Sequence, residues 1–196
     1  MTDRQRDLRI TDIGTLKALA HPLRMKLYRG LCVAGRATAS QLAEQVDEAV
    51  SLVSYHLRKL AEHGLIEAAE PQRADGRERW WQPASDGIAI RDRDFRDAPE
   101  KAAAHLAATR LFHDQRADLY RRYLDERATW SAEWNAAAPD SESLLRLTAA
   151  ELDELREELV ALARKYDEKG RSAEAAGDTE GREHVALHVY GFPFRR

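Results

Sequence analysis

The sequence predicts a mainly α-helical fold with a small β component, arranged as an N-terminal and a C-terminal part. Two observations predict it. Residues 38–81 carry signals for two consecutive helices and then a β-hairpin, and residues 99–196 carry long helical apolar patterns with two short alternating segments. We expect an N-terminal domain at residues 1–84, a linker at 85–98 and a C-terminal helical α+β region at 99–196.

The first helix of the 38–81 stretch is expected to begin at Thr38. Thr38 and Gln41 form a capping box, in which each side chain bonds to a backbone N–H at the start of the helix. The apolar face of this helix repeats at helical spacing and consists of Leu42, Ala43 and Val46.

The second helix is expected to begin at Ser51, a candidate N-cap, and to end before Gly64. A glycine directly after a helix adopts the left-handed backbone that closes it, and Leu65 is placed for the apolar contact that accompanies such an end. The inward face of this helix should consist of Val53, Leu57 and Leu60.

Residues 65–70 and 77–82 are expected to form two short strands. Asp75 and Gly76 between them favour a tight hairpin turn, because both tolerate the positive φ that such turns require. The order helix, turn, helix and basic hairpin is that of a winged helix-turn-helix. In such a unit the second helix fits the major groove of DNA, and a basic hairpin reaches the flanking backbone or minor groove.

These residues resemble the ArsR-type winged-helix regulators. The run at residues 16–27 looks like the family's opening helix and a second helix that begins at Pro22, where the missing N–H costs nothing. The resemblance continues through residues 51–60 and 64–66, and it covers residues 12–84. It implies repression that a signal relieves.

Two positions depart from the family pattern. Asp47 and Glu48 occupy the turn, where the family usually has glycine; these carboxylates either face phosphates and weaken binding, or stabilise the positive N-terminus of the second helix. Thr38 stands where metal-sensing members place a cysteine ligand. Because a hydroxyl is a poor ligand for soft metals, the sequence does not predict that metal site.

The candidate DNA-binding residues lie on the second helix and the hairpin. Contacts to base edges are expected from Ser51, Ser54 and Tyr55. Contacts to phosphates beside the groove are expected from His56, Arg58 and Lys59. Minor-groove or phosphate contacts are expected from Arg73, Arg77 and Arg79. For Arg79, a solvated strand position is an equally open alternative.

Composition limits the function classes. Residues 1–85 hold 13 Lys and Arg against 11 Asp and Glu, whereas the remainder holds 18 against 23, which suits a DNA-binding module joined to a separate acidic module. The single cysteine, Cys32, is expected on a buried helix face, allows no intramolecular disulfide and fits a reducing cytoplasm. The sequence lacks an apolar run long enough for secretion or membrane spanning.

The C-terminal region predicts two long helices. Pro99 should open the first, which is expected to reach about residue 134. Thr148 and Glu151 form a second capping box that opens the other helix. The seam of that helix recurs at steps of three and four residues and consists of Leu152, Leu155, Leu159, Leu162 and Tyr166.

Residues 143–147 and 184–190 are expected to be short strands. His184 and His188 would then lie about 13 Å apart, too far to share one ion. The helical seam serves ordinary core packing, dimer packing or both. The aromatic residues of the region could instead line a pocket for a small ligand, and they are Trp130, Trp134, Tyr166, Tyr190, Phe192 and Phe194.

The sequence shows no catalytic constellation and no phosphate-binding glycine loop, so an enzyme is disfavoured and no cofactor or metal is expected. The favoured interpretation is a cytoplasmic, homodimeric regulator of transcription that binds double-stranded DNA, with a possible small-molecule effector and no membrane partner. The alternative is a winged-helix module for protein–protein interaction.

Overall fold

The computed structural model of the chain describes residues 7–70 and 78–195. The chain divides into two units, Met1–Asp125 and Glu126–Arg196.

The first unit contains five helices and five short strands among the described residues. The helices are α1 (Ile13–Leu19), α2 (Pro22–Ala34), α3 (Ala39–Val46), α4 (Val50–Glu62) and α5 (Pro99–Glu126). The strands are β1 (Leu8–Ile10), β2 (Ala37–Thr38), β3 (Ile66–Ala69), β4 (Trp80–Pro83) and β5 (Ile88–Ile90). β4 lies between β2 and β3 in an antiparallel sheet, and β1 pairs with β5 in parallel. The predicted fold class, mainly helical with small sheets, is confirmed.

Helices α1 to α4 enclose one apolar core. Full burial of a leucine side chain stabilises a fold by about 1.5–3 kcal/mol, so leucines supply most of the driving force here. The fully buried side chains of these helices and the following turn are Leu16, Leu27, Leu31, Leu42, Val53, Leu57, Leu60 and Leu65.

The start of α3 follows the sequence prediction. The backbone N–H of Gln41 donates to the Thr38 hydroxyl at 3.3 Å, and the backbone N–H of Thr38 donates to Gln41 Oε1 at 2.9 Å. Thr38 is therefore the N-cap of α3, and its side chain is buried in that role.

The end of α4 also follows the prediction. Gly64 has φ +66°, and the Leu65 N–H bonds to the Leu60 carbonyl while the Gly64 N–H bonds to the Ala61 carbonyl. This pair of bonds is a Schellman motif, which satisfies carbonyls left over at the helix end. Leu65 is fully buried, so the motif turns the chain from α4 directly into β3.

The start of α4 corrects one prediction. The helix begins at Val50 with Ala49 as N-cap, and no side chain caps it. The Ala49 carbonyl already accepts the N–H of Val53 at 3.0 Å, so the helical bonding starts before Ser51 can act as a cap. Ser51 instead lies exposed in the first turn of α4.

The turn between α3 and α4 depends on Asp47. Its φ of +54° and ψ of +52° lie in the left-handed region, and it is the one non-glycine residue with positive φ in residues 7–70 and 78–195. Aspartate enters this region more readily than most residues. Asp47 thus reproduces the backbone of the glycine that the resemblance implies at this position.

We expect Asp47→Ala to lower the free energy of unfolding by about 1 kcal/mol, because alanine pays the left-handed penalty without a compensating side chain. Asp47→Gly should preserve or raise stability. Urea denaturation followed by circular dichroism measures both. Glu48→Ala is the control, since Glu48 is equally exposed but has no positive φ. Equal losses of unfolding free energy for Asp47→Ala and Glu48→Ala would show that the left-handed backbone of Asp47 carries no such penalty.

The expected linker at residues 85–98 belongs to the first unit, which corrects the predicted boundary. β5 pairs with β1 in the register Leu8 to Ile88 and Ile10 to Ile90. Phe95 lies in a 3₁₀ turn, Asp92–Phe95, and is completely buried. The unit continues to Asp125 because α5 also contributes buried residues to it.

Polar and aromatic contacts hold this segment in place. Arg9 Nε donates to Asp94 Oδ2 at 2.9 Å, and a second guanidinium nitrogen pairs with Asp94 Oδ1. The Phe95 ring stacks on His105 of α5 at 5.1 Å between centroids.

Cys32 is exposed and not buried as expected, because the core face of α2 passes through Leu27 and Leu31.

The second unit contains α6 (Ala132–Ala137) and α7 (Ala149–Ala175). Thr148 and Glu151 form the predicted capping box of α7. The predicted helix from Pro99 breaks earlier than expected, since α5 ends at Glu126 and a 3₁₀ turn, Arg127–Thr129, follows.

The two strand predictions in the second unit were wrong. Residues 143–147 and 184–190 carry no strand or helix. In residues 126–195 no residue is fully buried, so these alternating segments have no core to pack against. The leucine seam of α7 remains partly or largely exposed for the same reason.

Across residues 7–70 and 78–195, every helix is too short or too polar to cross a lipid bilayer.

Candidate nucleic-acid interface

The outward face of α4 borders a shallow cavity of about 340 Å³ against the hairpin. Val50, Ser54 and Arg58 face it from α4 at intervals of four residues. Ala39 at the start of α3 completes the helical side, and the hairpin side consists of Glu78, Arg79 and Trp81. The cavity therefore lies between the second helix of the motif and the hairpin, as the order of elements predicts.

Arg79 is held over an aromatic ring. Its guanidinium carbon lies 4.4 Å from the centroid of Trp81, whose ring is buried in the first unit. A guanidinium in this position gains cation–π stabilisation and keeps its N–H groups available for an anion.

Three other predicted contacts lie on exposed or half-buried parts of α4. Tyr55 is 48% exposed, Arg58 is exposed and Ser54 is half-buried. Arg58 Nε donates to the Ser54 carbonyl one turn earlier at 3.2 Å, which directs its guanidinium along the helix surface. The structure brings Ser54 and Arg58 to one surface together with Arg79 through the shared cavity, whereas Tyr55 is not among the residues that line it.

The charge of Lys59 is paired with a carboxylate on the same helix. Its Nζ forms an ion pair with Glu62 Oε2 at 2.7 Å, and it lies 6.0 Å from the centre of the Tyr55 ring. The hydrogen bond to Glu62 raises the pKa of Lys59 and lowers that of Glu62. Exposed pairs of this kind are weak, so a phosphate can compete with Glu62 for the ammonium group.

His56 corrects a prediction. Its side chain is 6% exposed and packs on His21, with ring centroids 4.6 Å apart, so it does not reach a phosphate. The N-terminus of α2 covers this side of α4. Among the described residues, the Nδ1 atoms of both rings are buried without a hydrogen-bond partner.

Residues 19–68 match the model of a protein family described as a helix-turn-helix domain. This segment is a helix-turn-helix domain. With β3 and β4 following its second helix, the first unit contains a winged helix-turn-helix, and units of this kind bind DNA. A comparison with curated proteins finds no match.

Several solved structures are similar to the chain. One is the homodimeric winged helix-turn-helix DNA-binding domain Mb0332 of Mycobacterium bovis, a possible ArsR-family transcriptional regulator. The two sequences are 22% identical, the match covers 52% of this chain and 77% of that chain, and the TM-score is 0.33. The transcriptional repressor BigR of Xylella fastidiosa has 23% identity, coverage of 49% and 78%, and a TM-score of 0.31. The zinc-responsive MarR family member ZitR of Lactococcus lactis has 18% identity, coverage of 74% and 75%, and a TM-score of 0.31. Similarity at this level does not assign a function to the chain.

Four residues at the cavity of the winged helix-turn-helix were missed by sequence reasoning, and they are Ala39, Val50, Glu78 and Trp81. Glu78 brings a carboxylate to the hairpin side, where the Ser40 hydroxyl donates to it at 2.5 Å. Val50 is 46% exposed on the outward face of α4. The four-residue spacing of Val50, Ser54 and Arg58 could have revealed this face, but the choice of Ser51 as N-cap placed Val50 outside the helix.

The tip of the wing lies outside the described residues. The predictions for Arg73 and Arg77, and the turn prediction for Asp75 and Gly76, fall in that segment. Within residues 7–70 and 78–195, no group of three or more His, Cys, Asp or Glu side chains is arranged to hold a metal ion.

The histidine pair couples the stability of the helix-turn-helix domain to pH. Burial lowers the pKa of His56 below its ordinary value of 6.5, and His21 and Arg24 lower it further, while Glu48 opposes them. Burial lowers the pKa of His21 as well, with a contribution from Arg24. Below pH 6.5 the unfolded chain therefore binds more protons at these two positions than the folded chain does.

We expect the free energy of unfolding to be highest above about pH 6.5. It should fall as the pH is lowered from there toward the lowered pKa values of His21 and His56. Urea denaturation at pH 5.0 to 7.5 measures the slope. His56→Phe should flatten it, whereas His113→Phe, at an exposed position on α5, should not. Identical slopes for the two variants would show that the buried pair does not control the pH dependence.

Proposed function

We propose that this protein is a homodimeric transcriptional repressor that binds double-stranded DNA in a sequence-specific manner and responds to a small non-metal ligand. The observation that supports DNA binding most directly is the cavity that joins the outward face of α4 to the hairpin. There, Ser54 and Arg58 lie opposite Arg79, which is stacked on Trp81. We also propose that the protein is not an enzyme.

The proposed contacts of α4 and Arg79 follow the position of each side chain, and those of Arg73 and Arg77 follow the sequence alone. Ser51, Ser54 and Tyr55 on the first two turns of α4 contact base edges in the major groove, because the N-terminal part of a recognition helix enters deepest. Phosphates beside the groove are bound by Arg58 and Lys59. On the wing, the phosphate or minor-groove contacts are those of Arg73, Arg77 and Arg79.

A second candidate function has an observation in its favour. Three carboxylates border the proposed surface, namely Asp47 and Glu48 in the turn and Glu78 on the hairpin. Carboxylates oppose phosphate and are compatible with a basic protein partner. A winged-helix module for protein–protein interaction is therefore the alternative.

The dependence of binding on salt separates the two candidates. For a DNA-binding protein, log affinity for any duplex falls linearly with log salt, with a slope of roughly −0.9 for each phosphate contacted. We expect retention on duplex DNA at low salt and loss as salt rises. Absence of binding to duplex at low salt would favour the protein-interaction module.

Replacing Arg58 and Arg79 together by Gln should weaken binding to all duplexes alike and flatten the salt slope by about one to two for each protomer bound. Fluorescence anisotropy with a labelled duplex over a salt series measures this. The matched control is Arg110→Gln, since Arg110 is an exposed arginine on α5, outside the cavity. A double variant with the slope of the unmodified protein would remove these two arginines from the binding surface.

A further inference from the structure

The exposed apolar surface of the chain is concentrated in the second unit. In residues 126–195 no residue is fully buried, although α7 carries an apolar seam from Leu152 to Tyr166. At one end the chain's own tail approaches the seam, because a Cβ placed on Gly191 would come within 3.3 Å of Leu152 Cδ1. Further along the helix the seam opens: Leu155 and Leu159 are half-buried, Leu162 is 52% exposed and Tyr166 is 61% exposed.

The charges of α7 are divided along its length. Residues 151–158 contain five acidic side chains and one arginine, whereas residues 164–171 contain four cationic side chains and two acidic ones. The first half is thus strongly negative and the second half is positive. In an antiparallel pair of these helices, the negative half of each copy lies beside the positive half of the other, whereas a parallel pair places halves of like net charge side by side.

Several charges of α7 are already paired within the helix. Arg156 pairs with Asp153 and Glu157, and Arg171 pairs with Asp167. Glu158 and Lys165 form no ion pair with another residue of the described chain. They lie seven residues apart, about 10.5 Å along the axis, so they cannot pair directly within one helix.

We propose that α7 is a self-association surface on which a second copy of the chain docks antiparallel. The Leu159 side chain faces Leu162 of the second copy, Leu155 faces Tyr166 of the second copy, and the two-fold axis repeats each contact. In the heptad that the seam defines, Glu158 and Lys165 both occupy the position before a seam residue, where antiparallel helices exchange ion pairs. Glu158 of each copy therefore forms an ion pair with Lys165 of the other copy, which gives two such pairs in the dimer.

This inference rests on the homodimer of the proposed function and assigns its interface. Sedimentation equilibrium of the full chain at micromolar concentration tests it, with circular dichroism as a check that α7 remains helical. Leu162→Glu should raise the dimer dissociation constant at least about tenfold, because two leucines lose their apolar partner in each dimer. Val160→Glu is the control, since Val160 is 40% exposed on α7 but lies outside the seam. An unchanged constant for Leu162→Glu, or an equal rise for both variants, overturns the proposal.

A charge exchange tests the antiparallel arrangement. Glu158→Lys and Lys165→Glu should each raise the dissociation constant about two- to tenfold, since each places like charges opposite each other twice. The protein that carries both changes should return to within about twofold of the original constant, because the exchanged pairs are again complementary. Additive weakening in the double variant overturns the antiparallel pairing.

The two proposals can fail separately. A chain that is dimeric and unaffected by Leu162→Glu overturns the α7 interface and leaves the proposed function intact. A chain that is monomeric at every concentration overturns both the interface and the homodimer. DNA binding is decided by the salt series, because a DNA-binding chain loses affinity for duplex as salt rises whether it binds as a monomer or as a dimer.

Discussion

Replacing Phe95 by Ala is expected to lower the free energy of unfolding of the first unit by about 3–5 kcal/mol, the usual loss for a fully buried aromatic side chain. Phe95 has no exposed surface, and its ring stacks on His105 with an interplanar angle of 10°. Its loss would leave a cavity where the 3₁₀ turn, α5 and the parallel β1–β5 pair meet the helical core. Urea denaturation followed by circular dichroism measures the change.

Leu106→Ala is the matched control for Phe95→Ala. Leu106 neighbours His105 on α5 but is 51% exposed, so its replacement should change stability by less than about 0.5 kcal/mol. If Phe95→Ala also costs less than about 1 kcal/mol, residues 85–98 behave as the linker that the sequence predicted and not as part of the core.

The burial of Phe95 also decides where the chain should be cut in an experiment that removes the second unit. A chain that ends at Ala84 lacks β5, Phe95 and the buried residues of α5. Loss of DNA affinity in that chain would report unfolding as much as loss of the dimer. Truncation after Asp125, at the division between the two units, separates the two effects.

Replacing Tyr55 by Ala is expected to weaken binding to the preferred DNA sequence by about 1–3 kcal/mol, which is roughly fivefold to 150-fold. Tyr55 lies on the outward face of α4, and its ring packs edge-on against His56 at 5.2 Å, which restricts its orientation toward a bound groove. Because almost half of the side chain is exposed, the free energy of unfolding should change little. Titrations of a selected duplex and a random duplex measure both the loss of affinity and the loss of discrimination.

Tyr120→Ala provides the comparison for Tyr55→Ala. Tyr120 is 44% exposed, close to the 48% of Tyr55, but it lies on α5. Its replacement should leave affinity and sequence preference unchanged. If Tyr55→Ala likewise changes neither, Tyr55 is not a base-contacting residue and the assignment of the major-groove surface is wrong.

Part of the candidate site could be predicted because it depends on the period of one helix. Val53, Leu57 and Leu60 are all fully buried, as their spacing predicts. Their burial places Tyr55 and Arg58 on the opposite side of α4. That these two residues contact DNA stays a prediction.

His56 was assigned wrongly for a tertiary reason. It precedes Leu57 on the side of α4 that the start of α2 approaches, and the His21 ring covers it there. The helical period of α4 alone does not specify where a neighbouring helix begins, so the sequence did not distinguish a buried His56 from an exposed one.

What the sequence determined by itself is where the principal helices begin or end. The capping boxes at Thr38 and Thr148, the left-handed Gly64 and the first-turn prolines Pro22 and Pro99 all act within one helical turn. Local chemistry of this kind is visible in a few consecutive residues. The tertiary structure alone decided that residues 85–98 join the core. β1 and β5 are three residues long and lie almost eighty positions apart, so their pairing leaves no periodic pattern in the sequence, and Phe95 is buried only because that pairing and α5 close over it.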